Sequence, residues 1–269
     1  MVCLLAAAIV SAIGASLKWL SRDGAVSATI IGFLVLWLGG GQAIVPLIAF
    51  FVSSSILSLV GRKRKRALRS YSDGDSQRTA KQVWANGGVA TILVIAHRVM
   101  ATHYPLEATR LSQILFLAAL STVNSDTWAT EIGSLIGGIP RMLSTWKPAA
   151  PGVSGAVSAI GTLAAVAGAF FVPFCVYKLW DLNAAEFVAA AWAAFLGCIA
   201  DSILGAGIQA QFKDPQTGLI SENAVVDSRP GLLIKGVRWI DNSAVNFISS
   251  AIGALFCWVL LHFALRNVM

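Results

Sequence analysis

The chain has 269 residues, of which 57% are hydrophobic and only 12% charged, with a mean hydropathy of +0.73. Ordinary soluble domains carry roughly twice that share of charge, so a soluble fold is excluded and an integral membrane protein is expected. The net charge of +7 does not indicate a nucleic-acid partner, because the basic residues flank apolar runs instead of covering a soluble module.

A helix needs about 17 to 25 apolar residues to cross a bilayer. In chain order such runs fall at 2–18, 25–40, 43–60, 83–102, 110–126, 153–177, 185–203 and 242–265. Alternating strand patterns are absent, so the expected fold is all-α, a polytopic membrane helix bundle with about eight transmembrane helices. Seven is the alternative, if 25–60 forms a re-entrant pair or 110–126 does not cross fully. No polar stretch is long enough for a separate soluble unit, which makes 1–269 a single integral-membrane domain. The first run lacks a basic leading region and is followed by Lys18 and Arg22, the reverse of an export signal, so a retained helix is expected. Cys3, Cys175, Cys198 and Cys257 each stand alone in an apolar segment and read as small core residues.

Charge sidedness orients the bundle. If the basic loop GRKRKRALRSYSDGDSQRTAK is cytoplasmic, eight spans leave only Arg98, Arg110, Lys178 and Arg266 on the opposite face, and the other 16 of the 20 basic residues share the cytoplasmic side. Both termini are then expected outside. The run at 62–66 reads mainly as a topology determinant touching anionic lipid.

Four segments bring carboxylates and amides to the cytoplasmic ends of spans, where ionisable groups usually mark function. QVWANGG places Gln82 and Asn86 on one helix face. NSDTWATEIG carries Asp126, Thr127 and Glu131. Asp126 and Glu131 lie five residues apart, about 140° around a regular helix, so both reach one ion only if the helix starts or unwinds between them. LGCIADSILGAGIQAQF contributes Asp201, Ser202 and Gln209 beside small residues that permit close packing. In WIDNSAVNF, Asn242 and Asn246 share a face and Asp241 is placed to cap a helix N-terminus. Hard oxygen donors of this kind suit Mg²⁺, which takes one or two carboxylates and completes its shell with water and phosphate. His97, His103 and His262 lie toward outer ends, so zinc is not expected. There is no G-x-x-x-x-G-K-[ST] motif, so any nucleotide binds without a Walker loop. Against these readings stand helix capping and interhelical hydrogen bonding for the same side chains, and packing for Ser53, Ser54 and Ser55.

The motifs DGAVSATIIG, FFVSSSILS, RTAKQVWANGG, SDTWATEIG, KPAAPGVSGAVSAIGT, ADSILGAGIQ and DNSAVNF occur in one order along nearly the whole chain. In them the sequence resembles the integral-membrane phytyl-phosphate kinase family of the tocopherol pathway and its bacterial, archaeal and animal transmembrane relatives. That resemblance implies phosphoryl transfer from a nucleoside triphosphate, CTP in the plant pathway, to phytyl or another prenyl monophosphate, giving the diphosphate. Carried onto this chain, its motif residues fall on Gln82, Asn86, Asp126, Thr127, Glu131, Asp201, Ser202, Asn242 and Asn246; from their place at the cytoplasmic ends of spans, Asp126, Glu131 and Asp201 are expected to position Mg²⁺ and phosphate, and Lys147 in its loop to neutralise charge. Gln82, Asn86, Asn124, Thr127, Ser158, Ser202, Gln209, Asp241, Asn242 and Asn246 become candidates for binding substrate or nucleotide. The chain departs from the family at Ser154, where relatives often carry Asn or Asp, and at Ala156 and Thr130. The implied site faces the cytoplasm of a plasma or thylakoid-type membrane. A transporter or flippase of polyprenyl phosphate or another anion is the rival, and a transferase making a CDP-linked lipid is a third reading. Transporters place ionisable residues near the midplane, whereas these lie toward one face.

Overall fold

The computed structural model describes residues 1–67, 77–103, 106–136, 138–149, 152–218, 220–226 and 229–266. The Ser/Asp/Gly turn expected after the basic run, together with Arg69, lies outside them. Seven helices make up the described bundle: α1 (Val2–Ser16), α2 (Arg22–Ala67), α3 (Ala80–His103), α4 (Leu106–Ile136), α5 (Ala159–Val176), α6 (Ala184–Gly207) and α7 (Asn242–Arg266).

α2 is broken at Gly40, whose φ of 77° suits a residue without a Cβ. Its two arms fold back on each other. Arg78 shows this, because its carbonyl accepts from Ser21 N at the start of α2 while its guanidinium donates to Ser55 near the end. The runs 25–40 and 43–60 are therefore arms of one element. Among the described residues, five helices, α2, α3, α5, α6 and α7, are long and apolar enough to cross a membrane. The expected eight separate spans are not met: α1, at 15 residues, is shorter than a crossing requires, and 110–126 is the middle of the 31-residue α4.

α4 is the central post, packing against α2, α3, α5, α6 and α7. Its Leu117, Ala118, Ala119, Leu120 and Thr122 are fully buried. Small residues let neighbours approach it: a Cβ on Gly253 of α7 would fall 2.0 Å from Thr122 Oγ1, the close backbone contact on which membrane helices rely.

One end of the bundle is marked by Arg110, Trp180 and Gln42, joined by Arg110 Nη1 to Trp180 O at 3.0 Å and Trp180 Nε1 to Gln42 O at 3.3 Å. The other end carries Arg78 and a small cap of strands. β1 (Arg141–Met142) pairs with β2 (Ala156–Val157), and β3 (Gln211–Lys213) sits between β4 (Ile220–Ser221) and β7 (Leu232–Lys235). β5 (Val225–Val226) pairs with β6 (Arg229–Pro230), and every pairing is antiparallel. This corrects the all-α expectation for the loops: strands of two to four residues are too short to display an alternating pattern. The four cysteines are free.

Candidate functional site

The carboxylates gather at the Arg78 end. Asp201, on the α4-facing side of α6, accepts from Ser249 Oγ of α7 at 2.8 Å. It interacts electrostatically with Asp126 of α4, which in turn interacts with Glu131. α4 does not start or unwind between Asp126 and Glu131; it runs unbroken from Leu106 to Ile136. The expected irregularity is absent because each carboxyl has its own neighbour. The angular offset along a regular helix sends Glu131 to α2, where Ser58 Oγ donates to it at 2.8 Å, and leaves Asp126 toward α6. Asp126 receives no hydrogen bond among the described residues.

Amides continue the belt. Asn246 of α7 donates to Asn86 Oδ1 of α3 at 3.0 Å, and its own Oδ1 is buried without a partner. Arg78, just before α3, closes the ring back to α2 by donating to Ser55 Oγ at 3.0 Å, with its guanidinium against Phe50 and Phe51 at 5.7 and 5.9 Å from the ring centroids. Burial pushes Arg78 down to about 10, opposed by the charge of Glu131, so it remains a cation near neutral pH. Arg78 is one of the residues that sequence reasoning missed. It was counted with the loop charges, although it is the first residue of the RTAKQVWANGG motif.

A second cluster lies beside the first, where the β1–β2 segment meets α6. Gly155, with φ of 80°, presses its backbone on α6 so closely that a Cβ would fall 2.3 Å from Ala206 N. This brings Ser154 to Gln209, whose Nε2 donates to Ser154 Oγ at 2.9 Å, while Ser154 donates to Glu222. Lys235 Nζ donates to Gly205 O at 3.0 Å. Burial pushes the Glu222 carboxyl up, against the hydrogen bond from Ser154 and the charge of Lys235, and pushes the Lys235 ammonium down, against Glu222. Glu222 is also within electrostatic reach of Asp201, so the two clusters adjoin. Ser154 thus holds an acidic side chain, Glu222, brought from the segment between β4 and β5.

Several sequence-predicted residues serve the scaffold. Asn124 bridges helices, accepting from Ser53 Oγ at 3.0 Å and donating to Gly168 O at 2.8 Å. Thr127 Oγ1 donates to its own helix at Val123 O. Ser158 caps α5 by accepting from Gly161 N, and Gln82 accepts from Thr79 N ahead of α3. Asp241 caps α7 at Ala244 N, as expected, and pairs with Lys81. Asn242 is exposed although Asn246 on the same face is engaged, Ser202 is half-buried beside Asp201, and Lys147 is exposed on the β1–β2 connection. Among the described residues, no three His, Cys, Asp or Glu side chains form a group that could hold a metal ion by themselves.

A bundle of long apolar helices with a belt of acids and amides at one end defines an integral-membrane class. The family model described as Integral membrane protein DUF92 matches residues 5–254, and the chain belongs to that family. It is similar to Protein PGR of Arabidopsis thaliana, 32% identical over 91% of this chain and 92% of that one. It is also similar to an uncharacterised membrane protein of Methanocaldococcus jannaschii, 29% identical over 70% and 74% of the two chains. A third relative is Protein VTE6, chloroplastic, of Arabidopsis thaliana, 23% identical over 92% of this chain and 67% of that one. No solved structure matches the chain.

Proposed function

We propose that the protein is a membrane phosphotransferase that uses a nucleoside triphosphate, with CTP as the first candidate, to convert a prenyl monophosphate to its diphosphate at the cytoplasmic membrane face. The observation that carries this reading is the convergence of Asp126, Glu131 and Asp201 from α4 and α6 with Asn86, Asn246 and Arg78 at one end of an apolar bundle. The motif resemblance to phytyl-phosphate kinases and the similarity to Protein VTE6, chloroplastic support it.

In the transfer, an oxygen of the prenyl phosphate forms a bond to the terminal phosphorus of the nucleotide, the bond from that phosphorus to the bridging oxygen breaks, and the nucleoside diphosphate leaves with the electron pair. The acceptor is already ionised, so no strong general base is required. Positioning and charge stabilisation are the protein's task. Asp126 of α4 and Asp201 of α6 lie within electrostatic reach of one another, an arrangement that a bound cation would offset. The donors are all oxygen, which fits Mg²⁺ with phosphate and water completing its shell. Asp126 and Asp201 would hold Mg²⁺, which supplies neutralisation of phosphate charge, while Glu131, turned toward Ser58 of α2, stays outside that shell and balances Arg78. Arg78 and the Asn86–Asn246 pair bind and orient the acceptor phosphate. Lys235, and Lys147 on its exposed loop, meet the phosphates of the nucleotide.

The test incubates purified protein in detergent with Mg²⁺, each nucleoside triphosphate and prenyl monophosphates of several lengths, with products identified by mass spectrometry. Prenyl diphosphate and nucleoside diphosphate in equal amounts are expected. Pyrophosphate release with a CDP-linked lipid would replace this reading with a head-group transferase. No turnover with any acceptor, together with lipid movement in proteoliposomes, would replace it with a transporter.

A further inference from the structure

An apolar cavity of about 230 Å³ lies between α1, the two arms of α2 and the start of α3. Its walls are side chains such as Val10, Ala28, Leu47 and Phe51, and apart from Ser11 the polar side chains on its lining are Arg78 and Asn86. Those two also belong to the polar belt: Asn86 accepts from Asn246, and Arg78 feels the charge of Glu131. The cavity is thus apolar along its length and polar where it meets the site. On its lining, Val10 and Ile48 are 40% and 37% exposed, so a chain can enter sideways from the bilayer.

We propose that this cavity is the hydrocarbon subsite of a single-chain lipid monophosphate, and that Arg78 receives the phosphate where the cavity joins the acidic belt. The proposal rests on the kinase reading for the fate of that phosphate but not for its binding. An apolar cavity of about 150 Å³ accepts one benzene. By the same measure the present volume takes roughly ten carbons, two isoprene units next to the head group, with the remainder of a longer chain in the membrane. A two-chain phospholipid has no second slot here. A guanidinium matches a phosphate with paired donors, and among the described residues the guanidinium's one hydrogen bond runs from Nη1 to Ser55. Asn86 adds an amide beside it.

The test is equilibrium binding in detergent without nucleotide, using dimethylallyl, geranyl and geranylgeranyl monophosphates and inorganic phosphate as probes. Ala28→Phe, which fills the cavity, should weaken geranyl and geranylgeranyl phosphate by about tenfold or more and leave dimethylallyl phosphate within about twofold. Arg78→Gln should weaken all three lipids by about tenfold, with partial recovery in Arg78→Lys. A folded Ala28→Phe protein that binds geranyl phosphate as tightly as wild type overturns the subsite. If that variant does not fold, Ala28→Leu and photo-crosslinking with a diazirine-bearing geranyl phosphate take its place. Label on α1, α2 or the start of α3 supports the subsite, and label confined to α5, α6 or α7 overturns it. Lipid binding with this pattern but without phosphoryl transfer removes the kinase reading and leaves the subsite standing. Turnover with an unaltered Ala28→Phe affinity does the reverse.

Discussion

The two ends of the bundle treat charge in opposite ways. At the Arg110 end, the guanidinium forks onto both oxygens of Glu186 at 2.7 Å, and donates to Trp180 O and Asp181 O at 3.0 and 3.1 Å. Glu186 in turn closes a capping box with Asn183 at the start of α6. Arg110 and Glu186 there satisfy each other, so the pair acts as a clamp. At the Arg78 end, Asp126, Glu131, Asp201 and Glu222 interact in succession, and among the described residues Arg78 reaches Glu131 and Lys235 reaches Glu222. Such an arrangement is poor for stability and suited to a ligand that brings positive charge and phosphate with it. The contrast teaches which polar groups in this bundle hold it together and which await something.

The largest expected effect breaks the comparison directly. Asp126→Asn and Asp201→Asn should each lower turnover by about 100-fold or more while thermal unfolding in detergent shows no loss of stability, since each removes like-charge repulsion. Wild-type rates in both variants would remove the metal and phosphate assignment. Arg110→Ala should do the opposite, costing about 2 kcal/mol or more by leaving Glu186 without its partner, read as a lower melting temperature, with turnover of the folded fraction within about threefold. Equal damage to rate and stability at both ends would erase the distinction.

Smaller effects sharpen it. Asn86→Ala and Asn246→Ala should each raise KM for the lipid by about threefold to tenfold, and the double variant should lose less than the two singles added, because they share one hydrogen bond. The smallest is a pH effect in the cap. The Glu222 carboxyl is raised by burial, so its contribution to stability is present below the usual carboxylate range and is lost as pH rises through its higher folded value. Glu222→Gln should flatten that decline, and melting curves from pH 4 to 8 check it. An unchanged slope would place Glu222 in a solvated setting.

The gathering of polar groups at one end was partly legible because the chemistry of placement is local. Asp126, Asp201, Asn86 and Asn246 each sit at the end of an apolar run, where an ionisable or amide side chain needs a reason. Thr127, Ser158 and Gln82 make hydrogen bonds to neighbouring backbone, which spacing alone does not distinguish from ligand binding. Arg78 was hidden among other basic residues of its loop. Glu222 was invisible because its partners, Ser154 and Gln209, lie 68 and 13 residues away in the chain.

The sequence by itself determined the class: apolar runs too long and too poor in charge for a soluble core, acids confined to their ends, and ordered motifs that place the chain among integral membrane proteins. Tertiary structure alone decided that α2 folds back at Gly40, that Asp126 and Glu131 serve different neighbours on an unbroken helix, and that Arg78 and Asn86 stand where an apolar cavity meets the acidic belt. The physical reason is range. Hydropathy and helical spacing are properties of adjacent residues, whereas a polar ring assembled from α2, α3, α4, α6 and α7 exists only once those helices pack around α4.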